Sequence, residues 1–120
     1  MLGKKRVKNI MEFIPIRRDN IEWIKLENKK IRLIFHRKRL IDKILIFMFN
    51  APERLKIDLD ELGSRVWELC DGKNNIYDIS VKIREEFGEK AAPVEERLLK
   101  FISILRNNNF IYLKEKESHL

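Results

Sequence analysis

At 120 residues, 44% hydrophobic with only four Gly and three Pro, the chain carries enough apolar material for one modest core, which excludes a mostly disordered tail. A single cysteine excludes an internal disulfide and a thiolate metal site, and the isolated His36 and His119 give no ligand spacing. The net charge of +7 is uneven: residues 1–56 hold 16 Lys and Arg against 6 Asp and Glu, and residues 57–120 hold 10 against 13. The basic half favours encounter with polyanions such as nucleic acid, anionic lipid or an acidic peptide; a solvated Lys-rich surface is the plain alternative.

Residues 1–19 read as a basic arm without a clean period. Lys4, Lys5, Arg6 and Lys8 resemble a signal n-region, but Glu12, Pro15, Arg17 and Arg18 break any apolar stretch after them, so no export signal is expected and the location reads as cytoplasmic. The longest apolar run, Ile44 to Phe49, is six residues, far short of the ~18–20 that span a membrane.

Residues 21–27 (IEWIKLE) and 31–36 (IRLIFH) are short β-rich runs around Asn28, Lys29 and Lys30, and Ile31, Leu33 and Phe35 alternate with Arg32, Ile34 and His36, which predicts a hairpin. Residues 37–51 (RKRLIDKILIFMFNA) predict a short helix with Leu40, Ile41, Ile44, Leu45 and Met48 on one face, closed by Pro52. Ile46, Phe47 and Phe49 spread apolar surface almost all round it. Residues 54–58 (RLKID) alternate again and predict a third strand.

The stretch LDELGSRVWELCDG, residues 59–72, predicts a helix with Asp60 as N-cap, Glu61 on the N-terminal dipole and Leu62, Val66 and Leu69 on one face, stopped by Gly72. Cys70 falls in the last turn, beside the core face, where no helix N-terminus lowers a thiol pKa; it reads as an inert framework residue. Trp67 lies off the stripe's centre, as a lid, a packing residue or part of a contact surface. Asn75 caps a helix over 76–87 with Ile76, Ile79, Ile83 and Phe87 inward and Gly88 as its stop. Pro93 opens a last helix, 93–107, with Glu95 and Glu96 in its first turn and Val94, Leu98, Phe101, Ile102 and Leu105 as its stripe. Leu99 and Ile104 flank that stripe, so the apolar arc is wider than one core contact requires: either two layers bury it, or one margin lines a groove. Asn107, Asn108 and Asn109 read as a cap and turn before a short strand, 110–113 (FIYL), and a charged tail.

The predicted class is α+β with a winged helix-turn-helix outline: a three-stranded antiparallel sheet, then a three-helix bundle, with a helical insertion between strands two and three. That architecture serves DNA readers and peptide readers alike. A DNA reader needs a basic, polar recognition helix. Here the last helix begins with two glutamates and spreads Arg97, Lys100 and Arg106, so charge permits nucleic acid while its placement argues against it. No nucleophile with a base, no metal constellation and no Gly-rich phosphate loop points to an enzyme or a cofactor.

The succession Leu59, Asp60, then Val66 to Gly72 (VWELCDG), Ile76 to Ile79 (IYDI), Phe87, Phe101, Leu105, Phe110 and Ile111 resembles the PqqD family over roughly residues 21–113. These are the small peptide chaperones of pyrroloquinoline quinone (PQQ) synthesis and the related precursor-recognition domains of ribosomally made, post-translationally modified peptides. The resemblance implies a non-catalytic domain, 20–113, between the basic arm 1–19 and the tail 114–120. It implies that a precursor's leader peptide adds as a strand to the sheet's exposed edge, packs in the cleft beside the last helix, and is presented to a modifying enzyme, commonly a radical S-adenosylmethionine enzyme. Carried onto this chain, the edge is Leu55, Lys56, Ile57 and Asp58; Leu98, Phe101, Ile102 and Leu105 lie beneath the cleft, and Arg97 and Lys100 pair with acidic leader residues. For the apolar positions plain core is the alternative, and for Arg54 and Lys56 it is charges that guard an edge strand. The segment 37–52 departs from a compact member of the family. It packs across the sheet, forms a homodimer contact, docks on the enzyme or lies on a membrane surface, and the first two are favoured.

Overall fold

In the computed structural model, which describes residues 9–36 and 54–115, the β-rich runs of the first hairpin become strands β2 (Glu22–Lys25) and β3 (Ile31–His36). The helix expected over 37–51, residues 1–8 of the arm and residues 116–120 of the tail lie outside the described residues. Two units are distinguishable, Asp19–Ser64 and the remainder, Met1–Arg18 with Arg65–Leu120.

In the unit of residues 19–64, the hairpin turn returns the chain through Leu26, which accepts from the Lys29 N–H at 2.8 Å and donates to the Lys30 carbonyl at 2.8 Å. Lys29 takes φ +69° in that turn, and Asn28 accepts the Lys30 N–H through its side chain at 3.0 Å. Strand β4 (Arg54–Asp58) pairs antiparallel with β3, so the sheet order is β2-β3-β4. Leu33 sits opposite Trp23 on one side and Ile57 on the other. Ile31 and Leu33 are fully buried, as alternation of period two requires of the face they share. Beyond the last β4 pair, Leu59 N–H bonds the Ile31 carbonyl at 2.8 Å. The buried Ser64 hydroxyl accepts the Ile31 N–H at 2.7 Å and donates to the Leu59 carbonyl at 3.3 Å, which satisfies a strand end that would otherwise be orphaned. Asp60 then caps helix α1 (Glu61–Leu69), its carboxylate accepting the Gly63 N–H at 2.7 Å.

The other unit contains an element that the basic arm did not announce. Strand β1 (Ile14–Arg17) follows a single 3-10 turn over Ile10–Glu12 and pairs antiparallel with β5 (Ile111–Lys114), forming a separate two-stranded sheet. The expected order of one sheet followed by helices is corrected to this extent, and the terminal strand lies one residue later than the 110–113 expected. The two remaining helices are α2 (Ile76–Phe87) and α3 (Val94–Asn107). The chain is thus mixed α+β with three helices and antiparallel sheets among the described residues.

Side chains set each helix boundary. Asn75 and Asp78 form a reciprocal capping box on α2, with bonds of 2.7 and 3.0 Å. Asn75→Ala is expected to cost about 1 kcal/mol, read as a lower urea midpoint. Gly88 at φ +57° ends α2. Pro93 is extended and occupies the N-cap of α3 rather than its first turn, so that helix starts at Val94, one residue later than expected. Asn108 donates its side-chain amide to the Ile104 carbonyl at 2.8 Å, and Asn109 turns the chain at φ +62°. Val66, Trp67, Leu69, Ile76, Ile79, Ile83, Val94, Leu98, Ile102, Leu105 and Ile111 are buried in this unit, whereas Phe87 and Phe101 of the expected stripes are only half-buried.

Candidate functional site

The stretch LCDG at the end of α1 is framework. Arg17 Nη1 donates to the Trp67 and Glu68 carbonyls at 2.9 Å each, placing a cation on the orphaned C-terminal end of the helix. The Arg17 N–H bonds the Cys70 carbonyl at 3.0 Å, and Ile16 bridges to Asp71. Gly72 takes φ +84°, which is why glycine follows the acid there. Cys70 itself is fully buried. Burial pushes its thiol up to about 12; Asp71 adds to the rise and Arg17 opposes it. A thiol-disulfide reagent at pH 8 is expected to leave Cys70 unmodified in the native protein and to titrate one thiol in urea.

Strand β4 presents different chemistry. Leu59 N–H to Ile31 O makes the 31/59 pair a hydrogen-bonded one, and antiparallel ladders alternate, so the pairs 33/57 and 35/55 are hydrogen-bonded in turn. The backbone N–H and C=O groups of Lys56 and Asp58 therefore point away from β3. Among the described residues no strand pairs that outer edge. Leu55 lies opposite Phe35. Ile57, on the face of Leu33, is 43% exposed, a large apolar side chain left at an open edge. Lys56 and Asp58 are exposed on the opposite face. Asp58 is held by Arg32 through two bonds of 2.6 and 3.0 Å, which lowers the carboxyl's pKa chiefly by hydrogen bonding. The pair holds while Asp58 is ionised and is lost as pH falls through that lowered value. Both side chains keep substantial solvent exposure, which makes it a weak stabiliser.

The expected α3 residues divide by burial. Leu98, Ile102 and Leu105 are 2–4% exposed, so they serve the core and offer an incoming ligand almost no surface. Phe101 keeps surface, and Ile104 beside it on the same margin is half exposed. Lys100 is exposed, and Arg97 donates to the Lys90 carbonyl at 2.9 Å. The four β4 positions lie together on one strand of one unit, and the six α3 positions on one helix of the other. Among the described residues no group of three or more His, Cys, Asp and Glu is placed to hold a metal ion. No helix among them is long and apolar enough to cross a membrane.

The family model described as coenzyme PQQ synthesis protein D (PqqD) matches residues 50–111, just over half of the chain. The chain belongs to the PqqD family. Searches of curated proteins and of solved structures find no match. The PqqD family is one of chaperone-like accessory proteins, and membership implies a peptide-binding chaperone role in the biosynthesis of PQQ or related ribosomally made peptides. A precursor peptide and a modifying enzyme are the partners that the PqqD family suggests. The matched span begins just before β4 and takes in all three helices.

Proposed function

We propose that the protein binds the leader of a ribosomally made precursor by strand addition to β4, in a winged helix-turn-helix setting, and presents it to a radical S-adenosylmethionine enzyme. The observation that carries this reading is the open edge of β4, with the backbone groups of Lys56 and Asp58 directed outward and Ile57 exposed beside them. Strand addition takes its affinity from such main-chain groups and its specificity from alternate side-chain contacts. An added strand's apolar residue lies beside Ile57, and its next residue, on the other face, lies beside Lys56. Lys56 selects a carboxylate there, because Asp58 already has Arg32. On α3, Phe101, Arg97 and Lys100 are the leader contacts the reading retains.

Fluorescence anisotropy with labelled precursor leaders encoded beside the gene, and with random duplex DNA alongside, tests the reading at low and high salt. One leader is expected to bind saturably and with modest salt dependence. Ile57→Asp is expected to weaken it at least about tenfold, roughly 1.4 kcal/mol or more, in a variant whose circular dichroism is unchanged. Phe101→Ala is expected to act in the same direction. Full leader affinity in both folded variants overturns the assignment, and steeply salt-dependent binding to DNA alone replaces it with a nucleic-acid function.

A further inference from the structure

Helix α3 carries more apolar surface than its core contact uses. Val94, Leu98, Ile102 and Leu105 are its buried face; Phe101 and Ile104 lie on one margin, and Leu99, Ser103 and Arg106 on the other. On that second margin, Leu99, Ile102, Ser103 and Arg106 join Ile10 of the 3-10 turn and Leu113 of β5 around a cavity of about 240 Å³. All six belong to one compact unit. Four are aliphatic, and Ile10, 38% exposed, leaves the mouth open.

The walls are built rather than incidental. The Asn9 side chain accepts the Met11 N–H at 2.9 Å, Glu12 and Phe13 N–H groups close the turn on Asn9 and Ile10, and the Phe13 carbonyl accepts the Ile76 N–H at 3.0 Å. The β5 wall is held by its ladder to β1. The volume is below the ~300 Å³ at which small-molecule sites begin, and suits one large side chain better than a cofactor. Arg106 is the only charged lining residue. It is exposed, and its guanidinium has no hydrogen-bond or ion-pair partner among the described residues. An apolar pocket with one uncompensated cation at its rim favours an apolar anchor with a carboxylate next to it and opposes a basic segment.

We infer that this pocket is a second docking site, which takes a segment of a partner protein presenting one large apolar side chain beside a carboxylate. It is distinct from the leader edge, since none of its residues is on β4 and it uses the opposite margin of α3 from Phe101.

The test is nuclear magnetic resonance of the ¹⁵N-labelled full chain, titrated with two capped hexapeptides: one Phe flanked by Asp and Glu, and the same Phe flanked by Lys. The acidic peptide is expected to shift the amides of Ile10, Leu99, Ser103, Arg106 and Leu113 saturably, and the lysine peptide to bind at least about tenfold more weakly. Arg106→Glu is expected to reverse that preference, and Leu99→Arg to abolish both titrations while leader anisotropy stays unchanged. The inference is overturned if no saturable shift occurs, if Arg106→Glu leaves the preference intact, or if the acidic peptide moves only Lys56 and Ile57. Leader binding measured in parallel reports on β4 independently, so loss of the strand-addition reading leaves the pocket's outcome readable.

Discussion

Lys56→Pro is expected to remove leader binding while the protein stays folded. The Lys56 N–H points away from β3, so a proline there takes no bond from the β3-β4 ladder, and edge strands tolerate proline for that reason. The preceding residue must be extended, as Leu55 already is within the strand. An added strand, however, loses one main-chain donor, about 0.5–1.5 kcal/mol, and meets the pyrrolidine ring where its own carbonyl must sit. Together these predict a loss of at least about tenfold in leader affinity by anisotropy. Lys56→Thr, which restores the N–H and favours a strand, is expected to recover the backbone part of the binding, with any remaining deficit reporting on the Lys56 charge. Ile57→Pro removes a donor that faces β3, so it is expected to destabilise the sheet rather than only blunt the edge. Unchanged affinity in folded Lys56→Pro would mean that the leader does not add to β4.

The same alternation explains what was legible before the structure. Residues 31–36 and 54–58 repeat with period two, and the shared face of Leu33 and Ile57 followed from that pattern; Ile34, buried on the other face, did not. The caps at Asp60 and Asn75 were legible because each is one polar side chain satisfying N–H groups a few residues ahead. Strand β1 was not legible. Its four residues, IPIR, hold a proline and an arginine, and the bonds that define the strand are to β5, almost a hundred residues later, and to Cys70. Arg17 read as one more cation of a basic arm; only the fold shows it capping α1. The α3 stripe was right in period but left its use undecided. Burial then separated Leu98, Ile102 and Leu105, which are core, from Phe101 and Leu99, which keep surface on opposite margins. The cavity wall at Ile10 gave no local signal, because an isoleucine in an aperiodic arm has no pattern to belong to.

Trp67 carries the largest stability effect. The sequence left it as a lid, a packing residue or a contact surface, and the structure buries it completely, the largest of the fully buried side chains. Truncating a buried Trp to Ala removes its transfer free energy and leaves a cavity, about 3–5 kcal/mol in sum. Native domains hold only ~5–15 kcal/mol, so the variant is expected to lose at least about a fifth of its stability. That corresponds to a fall in Tm on the order of 10–25 °C for a chain of this size. The position also supports what lies around it: the Trp67 carbonyl accepts Arg17 Nη1, and through Arg17 the end of α1 is tied to β1. A cavity there is expected to loosen that tie, so hydrogen exchange at Arg17 and Cys70 should accelerate more than at Asn75 and Asp78, whose capping box is local to α2. Trp67→Phe keeps most of the volume and is expected to recover most of the lost stability. A Tm within about 5 °C of the parent for Trp67→Ala would mean the site collapses around the truncation and the residue is not the centre of that core.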